Sequence, residues 1–174
     1  EEGFGTCGKQ CPWRGGANEN TVFTTSHDIQ VEGQPLAAGR YGLHFVPGEQ
    51  EWIAIFSKNS TSWGHYTYSE SEDALRVTVQ PEKAAYREWL TYDFTDRQGD
   101  KATLALAWEE LAVPIRIAVP NAVELYAENL RRELRSAPGF TAEGWQQSAQ
   151  YLVDHKVHLD WAEVWAQNAV SLPF

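Results

Sequence analysis

The chain has 174 residues, of which 43% are hydrophobic and 22% are charged, a composition typical of a folded globular protein. Its formal net charge is −10 and it contains no run of Lys or Arg, so a polyanion such as DNA would be repelled. No apolar stretch reaches the roughly 18 residues that would indicate a membrane span. We therefore expect neither a nucleic-acid partner nor a membrane-spanning segment.

The first 20 residues are rich in Gly and have no clear period, so we predict a loop. The sequence begins with Glu1 and contains no Met, which favours the removal of an N-terminal segment and is compatible with export. Cys7 and Cys11 could form a disulfide, stay as thiols, or supply two metal ligands. Because no further ligand pattern is visible, metal binding is the least favoured of these, and we expect no metal or other cofactor.

From residue 21 to residue 119, short runs of alternating apolar and polar residues predict β-strands. The clearest runs cover residues 41–46, 52–56, 75–80, 90–95, 104–108 and 113–119. Turn signals separate them, at Glu32-Gly33, Ala38-Gly39 and Pro47-Gly48. Short strands at this spacing, with no helical pattern between them, predict an antiparallel β-sandwich domain over residues 1–119.

After residue 119 the pattern becomes helical, and we predict C-terminal helices over residues 120–174. The predicted N-cap residues of three helices are Asn121, Thr141 and Asp160, with Glu124 and Glu163 completing capping boxes. The last two helices form a hairpin that resembles one tetratricopeptide-type repeat. Because one such repeat cannot bury its own apolar face, the helices either dock on the β-domain or are followed by further chain beyond Phe174.

Five motifs occur in a fixed order along the predicted β-domain. They are W-R-G-G-A-N from Trp13, G-Q-P-L-A-A-G-R-Y-G-L from Gly33, W-I-A-I-F from Trp52, W-G-H-Y-T-Y from Trp63 and D-A-L-R-V from Asp73. In this order they resemble domain-of-unknown-function family 2911, a family of exported bacterial proteins, over residues 13–119. Gly15 stands where Thr is usual in that family, and the two cysteines are a second departure. The resemblance implies a β-domain, C-terminal helical repeats and a periplasmic or extracellular location, but no reaction.

The W-R-G-G-A-N motif is the first candidate for a ligand site. Arg14 offers a planar fork for a carboxylate or phosphate, and Trp13 offers a stacking face. The alternative is a structural corner, in which Trp13 covers the end of the sandwich and Arg14 pairs with an acid such as Glu19 or Asp73. In that case Asn18 holds a turn through its own backbone.

The aromatic residues of the W-G-H-Y-T-Y motif form the second candidate, because they could stack on a sugar ring or an extended peptide. The alternative is that they cap the open end of the sandwich. His44, on a strand face opposite Leu43, could line the same surface. Together the candidate ligand-binding residues are Trp13, Arg14, Asn18, His44, Trp63, His65 and Tyr66.

We expect an exported binding or interaction module whose partner is a carbohydrate, a peptide or a protein. Two alternatives stay open: a hydrolase using His44 or His65 with an acid, with or without a metal, and a structural scaffold that assembles through the helices. No G-x-S-x-G motif, H-E-x-x-H motif or phosphate-binding Gly loop is present, so the sequence predicts no particular reaction or catalytic residue.

Overall fold

A computed structural model describes residues 12–64 and 66–171 of the chain. The predictions for Cys7, Cys11 and His65 fall outside these residues. The chain divides into two compact units, Glu1–Pro120 and Asn121–Phe174. In the described part, no helix combines the length and the apolar character that crossing a membrane requires.

The described residues of the first unit form two four-stranded antiparallel sheets, which confirms the predicted antiparallel β architecture. The strands are β1 Thr21–Thr25, β2 Ile29–Val31, β3 Gln34–Leu36, β4 Gly39–Val46, β5 Trp52–Ser57, β6 Asp73–Val79, β7 Glu82–Thr95 and β8 Lys101–Ala118. Sheet 1 has the order β1-β4-β5-β6, and sheet 2 has the order β3-β2-β8-β7. All pairs of neighbouring strands are antiparallel.

The hydrophobic core lies between the inner faces of the two sheets. In β4, Leu43 and Phe45 are buried in this core, together with Phe56 of the neighbouring β5 and Ile115 of sheet 2. Successive side chains of a strand point to opposite faces, so His44 lies on the outer face of sheet 1. The alternation read from the sequence therefore assigns the inner and outer faces of β4 correctly.

Strand β8 is longer than either of the two runs predicted for its sequence. Its inward-facing residues change from even positions, such as Leu104, to odd positions, such as Val113. Between them Glu109 has a φ of 51°, and the register with β7 shifts in the same region. A bulge of this kind moves the following side chains to the other face, so one continuous strand carries two apolar patterns.

The second unit contains three helices, α1 Ala122–Glu133, α2 Ala142–His155 and α3 Leu159–Ser171. They share a small core of their own, in which Ala127 and Leu134 lie near Ala149 and Leu152 of α2 and Trp165 of α3. The C-terminal helices are thus confirmed, while the tetratricopeptide-like character of the last two stays a prediction.

The helix N-termini differ in how their caps are formed. The Oγ1 of Thr141 accepts a hydrogen bond from the Gly144 amide at 3.1 Å, as predicted for an N-cap. Asn121 occupies the N-cap of α1, but its side chain makes no capping bond. Helix α3 begins at Leu159, so Asp160 lies in its first turn and the prediction of Asp160 as the N-cap was wrong.

We expect Thr141→Ala to lower the free energy of unfolding by about 1 kcal/mol, because one amide of α2 loses its acceptor. Asn121→Ala is the matched control, and it should have a smaller effect since no capping bond is lost. Urea unfolding followed by far-ultraviolet circular dichroism measures both changes. Equal losses in the two variants would contradict the assignment of Thr141 as the functional cap.

Candidate functional site

Two stretches that the sequence singled out lie side by side next to sheet 1. One is the loop before β1, and the other is the linking segment, residues 58–72, between β5 and β6. The Asn20 amide donates to the Ser62 carbonyl at 3.0 Å, and the Gly64 amide donates to the Asn18 carbonyl at 3.1 Å. These bonds join the two stretches into one surface.

Asn20 anchors the linking segment to the sheet. Its side chain is buried, and its Nδ2 donates to the Asn59 carbonyl at 2.9 Å. Beneath this bond lies Gly42 of β4, where a Cβ atom would overlap with both the Asn59 carbonyl and the Asn20 amide group. The absence of a side chain at Gly42 therefore allows the segment to lie directly on β4.

His44 is buried under the linking segment. Its ring lies 5.7 Å from the Tyr68 ring, and its Nδ1 is 3.3 Å from the Gly42 carbonyl oxygen. It borders a narrow crevice, whose other lining residues are Ser57, Asn59, Ser62, Gly64, Tyr68 and Glu72. His44 thus supports the segment from below and does not present its ring to solvent.

A polar cluster that the sequence analysis missed fastens the end of the linking segment to β6. Tyr68 Oη donates to Asp73 Oδ2 at 2.6 Å, and Arg76 Nη1 donates to both, at 2.8 Å and 2.9 Å. Burial, and then the hydrogen bond to Asp73, raise the pKa of Tyr68 far above its ordinary value, so its hydroxyl stays a donor. Tyr68 ends the W-G-H-Y-T-Y motif, and Asp73 and Arg76 belong to the D-A-L-R-V motif, but their mutual contacts are set by the fold.

Two aromatic rings stand out on the surface of the linking segment. Trp63 is 56% exposed and Tyr66 is 44% exposed. Their ring centroids are 6.3 Å apart and their planes differ by only 14°. The guanidinium carbon of Arg14 lies over the Trp63 ring, 6.0 Å from its centroid. We call these three residues the aromatic–arginine surface.

Arg14 has no polar partner among the described residues. It takes part in no ion pair or hydrogen bond with them, and its Nε atom is buried without an acceptor. The structural alternative, in which Arg14 pairs with Glu19 or Asp73, is not found: Asp73 binds Arg76 instead, at 2.9 Å.

The remaining candidate residues have different surroundings. The backbone of Trp13 pairs with that of Phe45, and its ring packs at the edge of the core against Phe45, Trp52 and Trp108. Asn18 is exposed with a φ of 66°, and its carbonyl accepts the bond from Gly64. The fold therefore brings Arg14, Trp63 and Tyr66 together, while Trp13 belongs to the core side of the same loop.

The described residues contain no group of three or more His, Cys, Asp or Glu side chains placed to hold a metal ion. What the aromatic–arginine surface offers chemically is two exposed aromatic rings, with a guanidinium over one of them. Such a combination binds ring-shaped ligands, and a guanidinium adds an affinity for oxyanions.

The first unit is thus a compact antiparallel β-domain, and its candidate site is the aromatic–arginine surface. The model of a family described as "Protein of unknown function (DUF2911)" matches residues 4–117, more than half of the chain. The chain therefore belongs to this family. The comparisons with curated proteins and with solved structures gave no match.

Proposed function

We propose that the protein is a ligand-binding module that takes a carbohydrate on the aromatic–arginine surface. The observation that carries the proposal is the exposure of Trp63 and Tyr66 as nearly parallel rings on a segment that is otherwise tied down. Large aromatic side chains that remain in water at one place mark binding surfaces more often than scattered apolar residues do.

A sugar ring fits this surface because one of its faces is formed by C–H groups. Packing that face on Trp63 or Tyr66 removes apolar area from water, which is favourable at roughly 25 cal/mol per Å². The hydroxyl groups at the rim of the sugar stay available for polar neighbours such as Arg14. The arrangement therefore supports recognition of the apolar face of a sugar ring by an aromatic side chain and of its hydroxyl groups by Arg14.

Two hydrogen bonds tie the linking segment to the domain on either side of Trp63 and Tyr66. Asn20 holds the first half of the linking segment through the Asn59 carbonyl, and the Tyr68–Asp73 hydrogen bond holds the second half. A surface that is already ordered loses little conformational entropy on binding.

A peptide is the less favoured ligand. Extended peptides gain affinity by adding a strand to an unpaired sheet edge. Trp63 and Tyr66 lie on a segment that covers the outer face of sheet 1. The backbone of Trp63 is already paired with that of Glu19, so the exposed part of this surface consists of side chains.

The test is a titration of purified protein with a panel of oligosaccharides and peptides, measured by calorimetry and by Trp fluorescence. We expect Trp63→Ala to weaken glycan binding at least about tenfold, since about 1.4 kcal/mol of contact is lost. Trp89→Ala is the control, because Trp89 is 83% exposed but lies on β7 of sheet 2. Binding of peptides alone, of no glycan at all, or of glycans equally by wild type and Trp63→Ala would overturn the proposal.

A further inference from the structure

The arginines of the chain differ sharply in how their charge is satisfied. Only Arg14 and Arg76 are withdrawn from solvent, while every other arginine is exposed. Arg76 is compensated by Asp73 at 2.9 Å and by the Tyr68 hydroxyl at 2.8 Å. Arg14 is the half-buried arginine whose charge meets no acid among the described residues, in a chain that has 24 acids and 14 Lys or Arg.

A cation that is partly removed from water without a partner is held at a cost. The Nε of Arg14 is buried with its donor unused, and the guanidinium carbon lies over the ring of Trp63. Planar guanidinium groups bind carboxylates through two parallel hydrogen bonds, which are shorter and stronger than neutral ones. A carboxylate of a bound ligand would therefore supply the partner that the described residues do not.

We infer that the carbohydrate bound by this surface carries a carboxylate, as a hexuronate does, and that Arg14 binds it. This inference rests on the proposed function and names the class of its ligand. Arg14 lies 6.0 Å from the centroid of the Trp63 ring, so the two residues contact neighbouring parts of one ligand. In a hexuronate the carboxylate is attached directly to the sugar ring, which brings a charge and a stacking face within that span.

The net charge of the protein limits how many carboxylates the ligand carries. At −10 the chain repels a densely charged polyanion at long range. A single guanidinium compensates one carboxylate. We therefore expect isolated uronate residues among neutral sugars to bind, and polyuronates to bind less well than these.

The experiment compares pairs of oligosaccharides that differ only in one hexose against the matching hexuronate, in the gluco and galacto series, by calorimetry. Wild type should bind the uronate of at least one pair about tenfold more tightly than its neutral partner. Arg14→Gln should reduce that preference to about onefold, because the uronate loses more affinity than the neutral sugar does. Arg14→Lys, which keeps the charge but loses the planar fork, should fall between them.

Arg87→Gln is the matched control, because it removes the same charge from an exposed position on β7. Equal affinity of wild type for both members of every pair would overturn the inference while the proposed function stands. So would a uronate preference that survives in Arg14→Gln. If wild type binds neither member of any pair, both the inference and the proposed function fail. The wild-type comparison decides the matter even where an Arg14 variant does not fold.

Discussion

Replacing Phe45 by Ala is expected to lower the free energy of unfolding by about 3–5 kcal/mol. Phe45 is fully buried near the C-terminal end of β4, and its ring lies 6.2 Å from that of Trp13 and 6.1 Å from that of Trp52. Truncation removes the apolar contact area and leaves a cavity that the rigid strands on both sides cannot fill. Chemical denaturation followed by Trp fluorescence measures the loss.

The control for this substitution is Phe140→Ala. Phe140 is the same residue type but is exposed in the second unit, so its truncation should change the stability by no more than about 0.5 kcal/mol. A loss below about 1 kcal/mol for Phe45→Ala would mean that the two sheets do not pack on each other through β4.

Gly42→Ala is expected to lower the free energy of unfolding by about 1–3 kcal/mol and to weaken glycan binding as well. The new Cβ overlaps with the Asn59 carbonyl and with the Asn20 side-chain amide, which form the hydrogen bond that holds the linking segment. The segment must therefore move away from β4, and Trp63 moves with it. Denaturation and calorimetric titration of the same preparation measure the two effects.

Gly99→Ala provides the comparison, because no heavy atom lies within 4 Å of a Cβ built at Gly99. Its stability should stay within about 0.5 kcal/mol of wild type. If Gly42→Ala behaved like Gly99→Ala in both measurements, the linking segment would not rest on β4 in solution.

Much of the fold follows from local patterns that a sequence displays directly. The alternation in β4 assigns Leu43 to the core and His44 to the outer face, and the structure confirms both. The predicted turn at Glu32-Gly33 is the two-residue connection between β2 and β3, with φ values of 49° and 78°. Both features depend on neighbouring residues only, so they can be predicted from the sequence without knowledge of distant contacts.

The predictions that were wrong or incomplete concern features that depend on contacts between residues far apart in the sequence. The bulge at Glu109 depends on the pairing of β8 with β7, and no local sequence pattern predicts it. The Tyr68–Asp73–Arg76 cluster forms because the linking segment folds back on β6. The sequence does not display this contact, and Asp73 was therefore predicted as a partner of Arg14, whereas it accepts a hydrogen bond from Arg76. At the start of α3, residue type alone does not determine which position is the N-cap to within one residue.

The candidate site shows the same division. Residue types in two loops suggested a shared ligand surface, and the fold places Arg14, Trp63 and Tyr66 next to one another. The same reasoning did not separate Trp13 from this group, because an aromatic side chain serves a core edge and a binding surface equally well. Only the packing of Trp13 against Phe45 and Trp108 distinguishes the two uses.

The most direct test of a carbohydrate site on Trp63 is a proton–nitrogen correlation spectrum of the tryptophan indoles. The chain has eight Trp residues, and Trp63→Phe and Trp89→Phe identify two of their signals. On saturation with a bound glycan, the Trp63 signal should shift while the Trp89 signal stays in place. A bound glycan that leaves the Trp63 signal unchanged would contradict the site proposed here.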